Sequence, residues 1–275
     1  MKFGFVTCVE LGLSCIKAIY SEGYNLELAI TLNDSNSLDK SGRVYLDDFC
    51  KEKSIHLEKC NHINDPHISD TIRRADIDWL FIVGWSQIAG TEVLRAPKMG
   101  VLGMHPTLLP VGRGRAAIPW AILKELPETG VTLFKVDEGV DTGLIGGQLV
   151  IPLHNRITAS ELYNLVNNAH VELVKNILPL LILGAVSFEA QDVSRATEWP
   201  GRKPEDGEID LDGSVFEAER LIRAVTRPYP GAFFFQDGKK VIVWRAEMTG
   251  KKPDQRSLVF RDGFLTLLEI DEIKV

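Results

Sequence analysis

The chain has 275 residues, 45% hydrophobic and 25% charged, with 31 Lys and Arg against 38 Asp and Glu for a net charge of −7. This composition is that of a soluble globular protein with an ample core, and it disfavours a partner recognised mainly through phosphate neutralisation, such as tRNA or DNA. The opening Met1–Thr7 reads as a strand rather than a leader, and Ile177–Val186 falls short of the ~20 residues that span a bilayer. Four cysteines (Cys8, Cys15, Cys50, Cys60) form no CxxC pair, and His56, His62 and His67 lack tetrahedral ligand spacing. A cytoplasmic protein with reduced thiols, no membrane association and no metal is expected.

Taken in chain order, Phe3–Val9 is a short apolar run, Leu11–Ser21 has helical periodicity and Leu26–Leu32 is a second run, a β-α-β opening. Ser54–Leu57 and Asp78–Val83 are further strand candidates, separated by a helical stretch over Asp65–Arg74. Val101–Met104 and Val131–Val136 follow, with a helix over Ile118–Glu125 between them that Pro127 and Gly130 stop. A long helix runs over Ala159–Leu183. The alternation predicts an α/β fold with a doubly wound, mostly parallel sheet, whose sites lie at the carboxyl ends of strands.

Beyond Trp199 the composition changes. Pro200, Gly201, Pro204 and Gly207 mark a linker, followed by a helix over Ser214–Ala224. Phe233–Phe235, Val241–Ala246, Ser257–Phe260 and Leu265–Ile270 then alternate with Asp237-Gly238 and Asp262-Gly263, which are hairpin signals. The expected division is a core domain over 1–198 and a small β-rich C-terminal domain over 199–275.

His105 and Asp141 each stand at the end of an apolar run, so a doubly wound sheet would bring them to one edge. A histidine titrates near neutrality and can polarise a carbonyl or carry a proton; a carboxylate beside it can hold the ring and accept a proton from an amine. Pro106 and Pro110 restrict the loop between them, as a preorganised histidine requires. His before Pro, or Asp-Thr-Gly, is alone usually structural. Their joint occurrence with Arg113-Gly114 is what points to chemistry.

The run Gly103-Met104-His105-Pro106-Thr107-Leu108-Leu109-Pro110, with Arg113-Gly114 and Val140-Asp141-Thr142-Gly143, resembles the catalytic signature of the folate-dependent formyltransferases. Pro119, Gly130-Val131-Thr132 and Gln148 keep the same register. Ile222-Arg223-Ala224, Pro228-Tyr229-Pro230-Gly231-Ala232 and Val243-Trp244 are similar to the C-terminal domain shared by methionyl-tRNA formyltransferase and the nucleotide-sugar N-formyltransferases. The resemblance implies a Rossmann-like core, N10-formyltetrahydrofolate as donor, and His105 and Asp141 as catalytic residues. It places the pterin against Ser86, Gln87 and Ile88 and against Asp137, Glu138, Gly139 and Val140, largely through backbone contacts. Gly103, Thr107, Arg113, Arg115 and Arg202 are the residues expected to face the acceptor.

The family motif reads Asn-x-His-Pro-Ser, so Thr107 replaces a serine and Gly103 replaces the asparagine that donates to the formyl oxygen. Losing one such donor typically raises a barrier by ~2.7–4 kcal/mol, ~10²–10³ in rate. Three readings follow: a slow or non-catalytic relative, oxyanion stabilisation by His105 alone, or a water or side chain such as Ser86 or Gln87 in the vacated space. The acidic chain and short C-terminal region favour a small acceptor over tRNA. A nucleotide-linked amino-deoxy sugar is expected, a UDP-linked pseudaminic acid precursor being one specific guess. Methionyl-tRNA formyltransferase and a non-catalytic folate- or nucleotide-binding relative are the alternatives. The resemblance also implies a homodimer.

Overall fold

Strands and helices alternate from the first residues in the computed structural model, which describes residues 1–36, 42–249 and 257–274. In order they are β1 (Phe3–Val6), α1 (Glu10–Ser21), β2 (Leu26–Leu32), α2 (Asp47–Lys53), β3 (His56–Cys60), α3 (Pro66–Arg74), β4 (Trp79–Val83), α4 (Thr91–Leu94) and β5 (Gly100–His105). There follow β6 (Arg113–Gly114), α5 (Ala117–Leu123), β7 (Glu128–Lys135), β8 (Leu144–Pro152), α6 (Ala159–Leu183), β9 (Glu198–Trp199) and α7 (Val215–Val225). β10 (Ala232–Gln236), β11 (Lys239–Thr249), β12 (Ser257–Phe260) and β13 (Gly263–Lys274) complete the chain.

The main sheet has seven strands in the order β3-β2-β1-β4-β5-β7-β8. β3, β2, β1, β4 and β5 are parallel and β7 runs antiparallel to β5. All four residues of β1 are buried, the pattern of a strand covered on both faces. The doubly wound, mostly parallel sheet expected from the sequence is therefore present. β3 lies two residues later than the sequence suggests, and β8 is an edge strand of mixed exposure whose apolar residues are split by Gly146-Gly147-Gln148.

The carboxyl end of β1, a common ligand position in such sheets, is covered by the chain itself. Gly42 O accepts from Glu10 N at the start of α1 (2.8 Å), and Val44 N donates to Cys8 O (3.1 Å). The Arg43 guanidinium adds bonds to Cys8 O, Thr31 Oγ1 and Leu32 O, each at 3.3 Å.

The chain forms two compact units, one of 1–114, 130–151 and 166–198, the other of 115–129, 152–165 and 199–275. The second carries the antiparallel sheet β10-β11-β13-β12. α7 buries Val215, Ala218, Ile222 and Val225 along one stripe. Its start is fixed by Ser214, whose Oγ accepts from Phe216 N and donates to Asp262 (2.7 Å) at the β12–β13 turn.

Candidate active site

Across the antiparallel ladder His105 faces Thr132 and Gly103 faces Phe134. Residues two apart on a strand share a face, so Gly103 and His105 point the same way. The loop after His105 is anchored through Thr132, whose Oγ1 donates to Thr107 O (2.7 Å) and accepts from Leu109 N (3.0 Å) and Gln148 Nε2 (2.8 Å). Gln148 also donates to Leu109 O at 2.9 Å. The Gln148 of the sequence motif thus braces the loop.

The His105 ring is held between two loops. Its Nε2 lies 2.8 Å from Gly112 O, and its Nδ1 lies 3.5 Å from Asp141 Oδ2. A backbone carbonyl only accepts, so Nε2 donates to it and Nδ1 is the ring nitrogen turned toward the carboxylate. Gly114 N donates to that same Asp141 Oδ2 (2.8 Å). Asp141 sits in the left-handed region at φ 54°, sparsely populated for a non-glycine residue and concentrated at functional sites. Only 10% of the His105 side chain and 16% of the Asp141 side chain reach solvent.

Three residues expected to face an acceptor are buried. Gly103 is buried in β5, and a β-carbon there would stand 2.9 Å from Val136 Cγ2 and 3.0 Å from Phe134 Cζ. The nearest groups to that β-carbon are thus apolar side chains. Thr107 is buried, and its Oγ1 has no hydrogen-bond partner. Arg113 is buried too, with Nε and Nη2 both donating to Gln191 Oε1 (3.2 and 2.7 Å), so its charge is directed inward.

In the second unit Arg115 is exposed, and the Arg202 guanidinium lies over the Trp120 ring at 5.1 Å. Lys124 Nζ approaches the same ring at 5.4 Å. Burial lowers the Arg202 pKa from its ordinary value, with Asp206 opposing the shift.

Of the two loops expected to meet a pterin, the one at Asp137–Val140 is tied to the start of α4, where Thr91 Oγ1 donates to Glu138 at 3.0 Å. The Gln87 amide is occupied: it accepts from Ile63 N (2.8 Å) and donates to Asn61 O (3.0 Å). Asp137 Oδ1 closes its own loop by accepting from Gly139 N (3.1 Å) and Thr142 Oγ1 (2.6 Å). These loops expose Ile88 (65%) and Val140 (50%) together with Ser86, Asp137 and Glu138.

Gln191, Thr197, Phe134 and Trp120 also shape these surroundings, and sequence reasoning passed over all four. Gln191 and Thr197 lie between α6 and the linker, in a polar stretch to which the sequence assigns no element; Phe134 and Trp120 read as core. His170 is a further buried histidine, its pKa pushed down to about 4 by burial, with His105 acting in the same direction. Cavities of about 140 and 180 Å³ lie elsewhere, lined by residues such as His154 and Arg223 in one and Leu149 and Leu173 in the other. Among the described residues no helix is long and apolar enough to cross a membrane.

Residues 35–178 match the family model for formyl transferase, and residues 202–273 match that for the formyl transferase C-terminal domain. The first match alone covers more than half of the chain, and the chain belongs to the formyl transferase family. Among solved structures it is similar to methionyl-tRNA formyltransferase from Clostridium thermocellum (20% identity, 100% of both chains, TM-score 0.65). It is also similar to an N-formyltransferase from Helicobacter canadensis in complex with folinic acid and dTDP-3-aminofucose (18% identity, 98% of this chain and 100% of that one, TM-score 0.69). HypX from Aquifex aeolicus in complex with tetrahydrofolic acid matches at 19% identity and TM-score 0.70, over 100% of this chain and 44% of HypX. At these identities the likeness is one of fold.

Proposed function

We propose that this chain transfers a formyl group from N10-formyltetrahydrofolate to the amine of a nucleotide-linked amino-deoxy sugar, with a UDP-linked pseudaminic acid precursor as one specific candidate. The observation that carries the reading is the His105–Asp141 pair, Nδ1 facing Oδ2 at 3.5 Å in a backbone frame from Gly112 and Gly114.

The donor supplies an activated formyl carbonyl. For its pterin the reading assigns the loops at Ser86–Ile88 and Asp137–Val140, and the exposed apolar side chains of Ile88 and Val140 support that assignment. Formyl transfer then requires the attacking amine to lose a proton and the departing nitrogen to gain one. The pair suits that task. Nδ1 and a carboxylate oxygen face one another, so a proton released by the amine has a place between them and can be returned from there. The Gly114 N–H holds the carboxylate during the exchange. Gly103 offers no donor to the carbonyl oxygen, which leaves His105 as the nearest polar group on that face.

Arg115 and Arg202 are cations suited to nucleotide phosphates, and Arg115 directly follows Gly114 in the chain. The dTDP-sugar named with the Helicobacter protein supports this acceptor class. A second reading, a folate-binding relative without transfer, is favoured by one observation: the apolar filling at Gly103.

The experiment is formyl transfer from N10-formyltetrahydrofolate to a panel of UDP-, dTDP- and GDP-linked amino sugars, beside His105→Ala. Turnover on one sugar, abolished by the substitution, is expected. Donor binding without transfer across the panel supports the second reading. Affinity for tRNA falling steeply with salt would instead indicate a polyanion acceptor.

A further inference from the structure

Arg113 is a buried cation whose two donating nitrogens converge on a neutral amide oxygen, Gln191 Oε1. Gln191 turns its own Nε2 to two backbone carbonyls, Asp141 O and Gly143 O, both at 2.8 Å. Both N–H bonds of the amide are therefore spent on the loop that carries Asp141. That loop has little freedom elsewhere: a β-carbon at Gly143 would overlap the Lys135 carbonyl, and Asp141 is left-handed at φ 54°. A guanidinium bound to the amide oxygen polarises the amide and strengthens the bonds it donates.

The neighbours of Arg113 complete the pattern. Gly112 O holds His105 Nε2, and Gly114 N holds Asp141 Oδ2. Thr197 pins the same strip, its Oγ1 accepting from Gly112 N (2.9 Å) and its carbonyl from Arg113 N (2.9 Å). Three consecutive residues thus set the histidine, the carboxylate and, through Gln191, the backbone beneath the carboxylate.

We infer that Gln191, braced by Arg113, is a positioning residue that sets the Asp141 carboxylate against His105. This rests on the reading that His105 and Asp141 carry the transfer. Gln191 touches no reacting atom; it acts through the conformation of Asp141.

Gln191→Glu tests it. Glutamate keeps the shape and the bond to Arg113, now as an ion pair, yet turns an acceptor oxygen toward Asp141 O and Gly143 O. The expected result is a folded protein with KM unchanged and kcat lowered by about 30-fold or more, since displacements near 1 Å cost of that order. Combined with Asp141→Asn, it should cause no further loss, because both remove one function. A Gln191→Glu enzyme with kcat near wild type, or a loss that multiplies with that of Asp141→Asn, would overturn the inference. Gln191→Met, similar in volume and without the amide, replaces it in the same cycle if the glutamate variant fails to fold. The His105 ring nitrogens, followed by NMR after isotopic labelling, give a readout that needs no turnover. Shifted Nδ1 resonances in the variant support the positioning role even if no acceptor is ever found, and unchanged ones overturn it.

Discussion

Restoring the asparagine at position 103 is the most direct probe of what replaced it. In Gly103→Asn the β-carbon alone would lie 2.9 Å from Val136 Cγ2 and 3.0 and 3.1 Å from two Phe134 ring atoms. Carbon atoms pack best at ~3.5–4.0 Å, so ring and methyl must each yield by roughly half an ångström or more. Overpacking of this kind costs ~1–3 kcal/mol. The amide would enter a site lined by Phe134 and Val136, and an unsatisfied buried polar group costs a further ~1–3 kcal/mol. Removing a strand glycine returns about 0.5–1 kcal/mol. The net expectation is a destabilisation of about 2–4 kcal/mol, read as a melting point lower by roughly 4–16 °C for a chain of this size. No gain in formyl transfer should accompany it. Phe134→Ala in the same chain should recover part of the loss, because the ring is the larger obstacle. A Gly103→Asn variant with wild-type melting, or one faster by about tenfold or more, would mean that the space is open and the reasoning wrong.

His105→Ala should lower single-turnover formyl transfer by ~10²–10⁴ in a protein that still folds; a smaller effect would remove the ring from the chemistry. Arg202→Ala should raise KM for a nucleotide acceptor by about tenfold with kcat little changed, the pattern of lost uniform binding, and a change in kcat alone would contradict that role. His170, with its pKa lowered from 6.5 to about 4 by burial, takes up a proton in the unfolded chain before it does so in the folded one. Its contribution is complete above the unfolded pKa and is lost as pH falls through the folded one, about 3 kcal/mol in all. Urea midpoints between pH 7 and 4 should therefore fall less steeply in His170→Gln than in the wild type, and parallel slopes would refute the assignment.

Much of this architecture was legible because hydrophobic periodicity follows burial directly. Leu26–Leu32 and Ala159–Leu183 coincide with observed elements since an unbroken apolar run and a long amphipathic stripe each have one structural solution. β8 was missed for the opposite reason: it lies at the sheet edge, and Gly146-Gly147-Gln148 divides Leu144-Ile145 from the short run Leu149-Val150-Ile151. Around the histidine, the motif showed which residues stand together but not which way they point. Arg113 carries a charge and reads as exposed; its inward turn depends on Gln191, 78 residues away. Gly103 reads as a vacancy in one dimension, and only the ladder register reveals Phe134 opposite it.

That register makes position 103 and Phe134 one packing unit. A glycine opposite an aromatic residue on the neighbouring strand is covered by the ring, an arrangement that stabilises a sheet where glycine alone would weaken it. Of the three readings the sequence leaves open, polar replacement by Gln87 is removed, because its amide holds Asn61 and Ile63 and apolar groups hold the space. The readings with and without transfer differ by a measurable amount. A proton-moving pair contributes ~10²–10⁴ to rate and a single oxyanion donor ~10²–10³, so a chain that keeps the pair and lacks the donor retains a substantial catalytic advantage. It should therefore turn over slowly, with His105 required, rather than not at all. A transfer rate identical in wild type and His105→Ala would leave the preserved pair without a catalytic purpose and establish the binding role in its place.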